Sequence, residues 1–332
     1  EGWDGDWTAD GSAFSFVKAY PDFNLEEITK YAAMKNVRLI GHHETAGATK
    51  NYENQLEDAF KLYQKMGVNS VKTGYVNKYL DKKEWHDSQY GARHYRKVIE
   101  TAAKYHIMID NHEPMKGTGL QRTYPNFMSQ EGGRGQEYNA WSVDGGNTPE
   151  HLTTLPFTRM LSGPFDYTPG NFNFDYKTPS GAKVQTTLAN QLALYVIIFS
   201  PLQMASDLPE NYEGKPEFQF VKDVPCTWSD TKVLDSKIGE YTTIARKDWD
   251  EKNWYLGSIT NRNARDLKVA LSFLDKDKEY EAEIYADGPG ANYKTNPYPV
   301  TISKQKVNSK TVLNIKLAAG GGTAVKFSPI EK

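Results

Sequence analysis

A segment of apolar residues that stops at a histidine–glutamate pair occurs twice, and the stretches between repeat a strand–helix rhythm. Residues 38–44 read RLIGHHE and residues 107–113 read IMIDNHE. Each is a strand-length apolar run ending in titratable groups. Between them, residues 51–66 and 90–105 carry helical spacing, and residues 69–76 (NSVKTGYV) read as a strand. Asn24 is placed to cap a helix that begins with Glu26 and Glu27 in its first turn. On the helix over 51–66, Leu56, Ala59, Phe60 and Tyr63 share a face, and Gly67 stops it. Strand and helix alternate with a period of about 35 residues, the signature of parallel βαβ units. In such folds the C-terminal ends of the strands carry the chemistry.

Beyond residue 113 the rhythm is looser. Short strands are expected over 123–127, 163–167 and 200–205, and helices over 148–160, 182–198 and 217–222. Strand ends then fall near 44, 76, 113, 128, 167 and 205, six where a (β/α)₈ TIM barrel needs eight. The expectation is a barrel of which this chain carries about strands 3–8, over residues 1–236. The pattern changes near residue 237. Residues 241–246 and 254–260 alternate apolar and polar, and short strands follow to 327. Residues 237–332 therefore read as an all-β sandwich of about 95 residues. Residues 1–22 read as a loop rich in Gly, Asp and aromatics.

The 332 residues carry a net charge of −2, which gives no electrostatic footprint for nucleic acid. One cysteine, Cys226, excludes an internal disulfide. No apolar run reaches the roughly 18–20 residues of a membrane span. Aromatics make up 13% of the chain. Such rings line carbohydrate sites and also fill cores.

Strand alternation puts His42 and Glu44 on one side of their strand and His43 on the other. Lys72 lies on the strand between the two that end in glutamate, and His112 precedes Glu113. The Gly-rich loop SQEGGRGQEY (129–138) can bend Glu131 and Glu137 inward. Glu113, Glu131 and Glu137 would then be like charges near one mouth, compensated by Arg134, Lys72 or a cation. Oxygen-only ligands suit Ca²⁺ rather than zinc. Several carboxylates with Lys and His at a strand-end mouth most resemble glycoside hydrolysis, which needs an acid and either a base or a nucleophile.

HHET (42–45), VKTGYV (71–76), the His112–Glu113 pair, RTYPN (122–126), EGGRGQEY (131–138) and GPFDYTPG (163–170) together resemble glycoside hydrolase family 97. The closer resemblance is to its inverting α-glucosidase branch, of the starch-utilisation type. The resemblance implies a Ca²⁺-dependent enzyme that releases glucose from α-linked oligosaccharides. It assigns Glu137 as general acid and Glu44 and Glu113 as the base pair. His42, His112 and Lys72 contact substrate, and Glu113, Glu131 and Glu137 hold the metal. Retaining members, similar to α-galactosidases, carry an aspartate nucleophile on the strand that here reads KTGYV, and Gly74 stands in its place. The alternatives are such a retaining α-galactosidase with its nucleophile elsewhere, or a non-catalytic carbohydrate-binding protein. The resemblance also implies a periplasmic or secreted bacterial protein. It further implies an N-terminal β-sandwich and two barrel strands ahead of Glu1, without which this chain is expected to be unfolded or inactive.

Overall fold

The computed structural model describes residues 10–250 and 252–330. The first nine residues of the N-terminal loop lie outside the described residues. The chain divides into two compact units. The first comprises residues 10–132 and Ser162–Asp166, the second Gly133–Leu161 and residues 167–330. This division is drawn differently from the sequence-read segments 1–236 and 237–332.

The first unit is built on a parallel sheet. Helix α1 (Leu25–Met34) starts at Asn24, whose side chain accepts the Glu27 amide at 3.1 Å. Then come β1 (Gly41–Glu44), α2 (Thr49–Met66), β2 (Ser70–Gly74), α3 (Gln89–Lys104), β3 (Met108–Asn111) and β4 (Phe127–Gln130). The four strands are parallel in the order β1-β2-β3-β4. Gly67, left-handed at φ 74°, ends α2, and the helix buries Tyr52, Leu56, Ala59, Phe60 and Tyr63 as its spacing demands. Tyr95, Val98, Ile99 and Ala102 of α3 enter the same core. The register sets His42, Lys72, Asp110 and Ser129 in one row and His43, Thr73, Asn111 and Gln130 in the next.

Three details differ from the sequence reading. Strand β1 begins at Gly41, after the apolar run, and Val37 and Ile40 are exposed. The fourth strand starts at Phe127, because residues 120–122 turn as a 3₁₀ helix before Pro125. Residues 163–167 and 200–205 form no strand. Gly163 at φ 116° and Thr168 at φ 61° depart from extended geometry, and Pro201 removes a ladder donor. A single-residue link remains where the Asp166 amide donates to the Gln130 carbonyl at 3.0 Å, beside β4. Among the described residues the parallel sheet thus has four strands rather than six.

The second unit holds short helices α4 (Tyr138–Trp141) and α5 (Pro149–Thr154), the buried α6 (Leu188–Ile197), and α7 (Pro209–Tyr212) and α8 (Phe218–Asp223). Its strands are β5 (Trp228–Lys237), β6 (Tyr241–Asp248), β7 (Trp254–Thr260), β8 (Arg265–Ala270), β9 (Glu279–Asp287), β10 (Val300–Asn308), β11 (Val312–Leu317) and β12 (Gly322–Pro329). They form an antiparallel six-stranded sheet, β10-β9-β12-β7-β6-β5, and a two-stranded sheet, β11-β8. The two sheets share one core that includes Leu256, Tyr280, Leu313, Ile315 and Phe327. Strand β5 precedes the change of pattern at residue 237, since its burial is mixed and its alternation is weak.

Every residue of α6 is buried, and the helix lies directly on the six-stranded sheet. The approach is close enough that a β-carbon on Gly257 would meet the Ala193 carbonyl oxygen at 2.6 Å, and one on Gly322 the Asn190 Cα at 2.4 Å. Glycine at these two positions is what lets a fully buried helix settle there. Gly257→Ala is expected to cost about 1–3 kcal/mol of stability. A chemical-denaturation midpoint that does not move would contradict this packing.

Candidate functional site

The site of the first unit is built around the end of β2. Glu44 is buried, and its Oε1 accepts the Ala46 amide at 2.7 Å and the Val76 amide at 3.1 Å. Oε2 of Glu113 accepts the Tyr75 amide at 2.7 Å. The two carboxylates therefore sit on consecutive amides, directly after Gly74. Burial first, and then the charge of Glu113, push the Glu44 carboxyl up to about 7. A carboxylate poised there exchanges a proton at neutral pH, as a general base must.

Gly74 is a steric necessity of this arrangement. A β-carbon on it would stand 2.0 Å from Glu44 Oε2 and 3.2 Å from His42 Nε2. No side chain fits at position 74 while Glu44 holds its two amides. An aspartate nucleophile at 74 and a Glu44 placed in this way exclude each other.

Glu113 carries backbone strain, with φ 43° at a residue other than glycine. Such a conformation costs on the order of 1–3 kcal/mol and persists where several contacts hold it. Here the Glu113 carbonyl accepts from the Tyr95 hydroxyl at 3.0 Å and lies 2.9 Å from His86 Nδ1, and the carboxylate holds Tyr75.

The alternation expected for His42-His43-Glu44 is present. His43 is fully buried on the helix side, with Nδ1 2.8 Å from the Tyr52 hydroxyl and its ring against Phe16, Phe60 and Tyr63. It is a core residue. His42 Nε2 lies 3.9 Å from Glu44 Oε2. Burial, Lys72 and His112 push the His42 imidazole down to about 3, so the contact joins a neutral ring to a carboxyl rather than an ion pair. Lys72 stands between His42 and Asp110 in the register row.

His112 is the opposite case. Burial disfavours its charge, but the Asp166 hydrogen bond, Asp110 and Glu131 outweigh that and raise it to about 9. Its Nε2 is 2.7 Å from Asp166 Oδ2 and 3.9 Å from Asp110 Oδ2, and its Nδ1 is 3.7 Å from Glu131 Oε2. Asp110 is fully buried beside Asp166. Burial and the neighbouring Asp166 hold it protonated, well above the usual carboxylate range. His112 thus presents a cation to the site on a two-aspartate base. Asp110 and Asp166 were not singled out in the sequence. Asp110 stands two residues before His112, hence on the same strand face, which is a signal that could have found it. Asp166 has no such local mark, since it reaches His112 from 54 residues away.

The expected grouping of carboxylates is met in part. Glu131 is buried and accepts the Glu113 amide at 3.4 Å. Among the described residues Glu113 belongs to no cluster of three metal-ligating groups, whereas Asp110, His112 and Asp166 of the first unit do form one. The closest pair of that trio is already spent in the His112–Asp166 hydrogen bond. Glu137 belongs to the second unit. It is exposed, immediately ahead of α4, and makes no capping bond. This exposure differs from the buried setting expected of a general acid. Arg134, one expected compensating cation, is taken by Asp144 through contacts of 2.6 and 2.9 Å within the second unit. The loop around it is braced by Asn147, whose Nδ2 donates to the Gly135 carbonyl at 2.7 Å, and by the Gln136 side chain on Asn171 and Gln191.

Paired carboxylates on amides at the ends of parallel strands, flanked by Lys72 and His112, are the equipment of a glycoside-hydrolase scaffold. The chain belongs to glycoside hydrolase family 97. The family model described as glycoside hydrolase 97 matches residues 1–133, and that described as glycosyl-hydrolase 97 C-terminal, oligomerisation, matches residues 227–328. A family 97 enzyme from Pseudoalteromonas sp. strain K8, solved in complex with panose and with acarbose, is 46% identical with a TM-score of 0.95. The match covers 99% of this chain and 52% of that one. A protein of Bacteroides thetaiotaomicron named as a retaining alpha-galactosidase is 36% identical over 98% of this chain and 47% of its own length. A probable retaining alpha-galactosidase of Streptomyces bingchenggensis is 27% identical over 90% of this chain and 42% of its own. The chain spans about half the length of the relatives it matches. No helix among the described residues is long and apolar enough to cross a membrane.

The raised Glu44 has a consequence for stability. The folded chain prefers this carboxyl protonated, and the unfolded chain ionises it near 4.5. Its contribution is complete below pH 4.5 and is lost as pH rises through about 7. The loss is on the order of 3 kcal/mol. Denaturation curves between pH 4.5 and 8 are expected to converge on those of Glu44→Gln at the acid end and fall away from them at the basic end. Parallel curves would contradict it.

Proposed function

We propose that the protein carrying this chain is an inverting α-glucoside hydrolase that releases glucose from malto-oligosaccharides. The observation that carries this reading is the pair Glu44–Gly74. At the position where retaining relatives are expected to hold their nucleophile, a side chain would have to displace the Glu44 carboxyl, raised to about 7, that now fills the space. Glu44 and Glu113, on adjacent amides, suit the capture and deprotonation of one water. Lys72 and the charged His112 suit hydroxyl recognition, with His42 as a neutral partner. Glu137 is the general acid by its place in the family motif. An inverting pair of acid and base carboxyls stands about 6.5–9.5 Å apart, with water on the far side of the sugar.

Two further parts of the reading rest on the resemblance. The parallel sheet belongs to a (β/α)₈ barrel completed by chain beyond these residues, together with an N-terminal β-sandwich. Calcium is held by Glu113, Glu131 and Glu137. That donor set is all carboxylate oxygen, which fits a hard cation, and Glu131 already meets the Glu113 backbone. The ion would offset the negative charge of these groups. We place the protein in the periplasm or outside the cell on the same grounds. The panose-bound relative favours α-linked glucose, since panose is a glucose trisaccharide.

A second reading, a retaining α-galactosidase, is favoured by the names of the two relatives above. It would require a nucleophile elsewhere than position 74.

Proton NMR of maltose hydrolysis by the full-length protein with Ca²⁺ separates the two. β-Glucose is expected to appear first, and α-glucose first would overturn the inverting assignment. Glu137→Gln is expected to lower turnover of maltose by roughly 100-fold or more and of an activated aryl glucoside much less. Equal losses would remove Glu137 from the acid role. EDTA is expected to lower the melting temperature, with Ca²⁺ restoring it. An unchanged melt would count against the metal.

A further inference from the structure

A lone exposed tryptophan is an ordinary surface feature. Trp85 is not alone. Its ring packs edge-on against Tyr79 with centroids 4.7 Å apart, and the Lys78 ammonium lies over both rings, 5.3 Å from Tyr79 and 5.6 Å from Trp85. Trp85 nevertheless keeps 56% of its surface open. Two aromatic rings and a cation are thus arranged together without being buried.

The arrangement is held by a small hairpin. Leu80 and Glu84 bridge antiparallel through bonds of 2.7 and 2.9 Å, so Tyr79 and Trp85 flank the bridge from opposite arms. The turn uses left-handed residues Asp81 (φ 45°) and Lys82 (φ 66°). Leu80 is fully buried beneath it. The Asp81 amide donates to the Gly47 carbonyl at 2.7 Å. Its carboxylate accepts the Thr49 hydroxyl at 2.6 Å, the Tyr90 hydroxyl at 2.5 Å and the Lys50 amide at 3.2 Å. The hairpin is therefore pinned to the start of α2.

The same hairpin is continuous with the site. Val76 and Tyr75, which hold Glu44 and Glu113, lead straight into it. On the returning arm, His86 follows Trp85, and its ring nitrogens lie 2.9 Å from the carbonyl oxygens of Asn77 and Glu113. The residue that follows Trp85 thus bears on the same backbone that places the site carboxylates.

We propose that the exposed ring of Trp85, braced edge-on by Tyr79, forms a stacking face for a pyranose ring of the oligosaccharide beyond the residue that is cleaved. Lys78 and Asn77 supply donors for its hydroxyls. A rigid aromatic face offers large contact area at small entropic cost, and a sugar ring matches it with an apolar face and a polar rim. The inference rests on the glycosidase reading above but not on which anomer is released.

The test is Trp85→Ala in the full-length protein, assayed on p-nitrophenyl α-glucoside and on maltotetraose. Loss of one aromatic contact is expected to lower kcat/KM on maltotetraose roughly 3- to 10-fold, mainly through KM. The aryl substrate should stay within about twofold, and Trp85→Phe should recover most of the loss. Equal losses on both substrates with a lowered melt would show that Trp85 is covered by another part of the polypeptide, and would overturn the stacking face, as would no loss on either. Where the wild-type protein cleaves α-galactosides instead, the glucosidase reading fails by itself. The same comparison then runs on p-nitrophenyl α-galactoside and stachyose.

Discussion

Two carboxylates take the consecutive amides of Tyr75 and Val76, and the space between them exists because residue 74 has no side chain. The glutamates come from the first and third strands of the sheet and meet over the second. Parallel pairing is what permits this, since it brings all the strand ends to one side. A carboxylate held by amides is costly to bury next to another, and the structure shares the cost unequally. Glu113 keeps a strained backbone and a firm hydrogen bond, while Glu44 takes a proton readily. That asymmetry separates two otherwise equivalent glutamates.

The cations around the pair are graded in the same way. Burial, and then Lys72 beside it in the register row, keep the His42 imidazole neutral. His112, two aspartates beneath it, keeps its charge. Three basic side chains thus offer different hydrogen-bonding characters within one face of a sheet. Burial and neighbouring charges together set the two imidazoles apart. The His42–His43 pair shows how local the decision is. Two adjacent histidines of one strand become a site residue and a core residue because alternate side chains face opposite sides.

The second unit is organised by a different constraint. Its central helix is buried on every side, with Asn190 and Gln191 held by hydrogen bonds. Gly257 and Gly322 let it lie against the six-stranded sheet at van der Waals distance. The loop that carries Glu137 is locked in this unit by Arg134, Asn147 and Gln136, none of which recruits Glu137 itself. This leaves Glu137 exposed beside a braced loop.

Much of this was legible in the residues alone. The parallel strand–helix alternation, the capping of α1 by Asn24, the buried face of α2 and the opposite fates of His42 and His43 follow from periodicities of 3.6 and 2 and from capping chemistry. So did the antiparallel strands toward the C-terminal end. The extra strands read at 163–167 and 200–205 did not form, because short apolar runs interrupted by Gly and Pro have no ladder to complete, and local pattern cannot see the partner strand. Lys72, Glu44 and Glu113 could be named from strand ends, but not the amides they occupy. Asp166 was out of reach, since its partner lies far along the chain. Arg134 was read as a counter-ion for the glutamates and found Asp144 instead. By itself the sequence determined which residues stand on which face of each element, because that depends on neighbours a few positions away. Only the tertiary structure decided that Gly74 makes room for Glu44, that the Glu44 carboxyl is raised, and that His112 is charged. Each of those depends on burial and on charges brought together from distant strands.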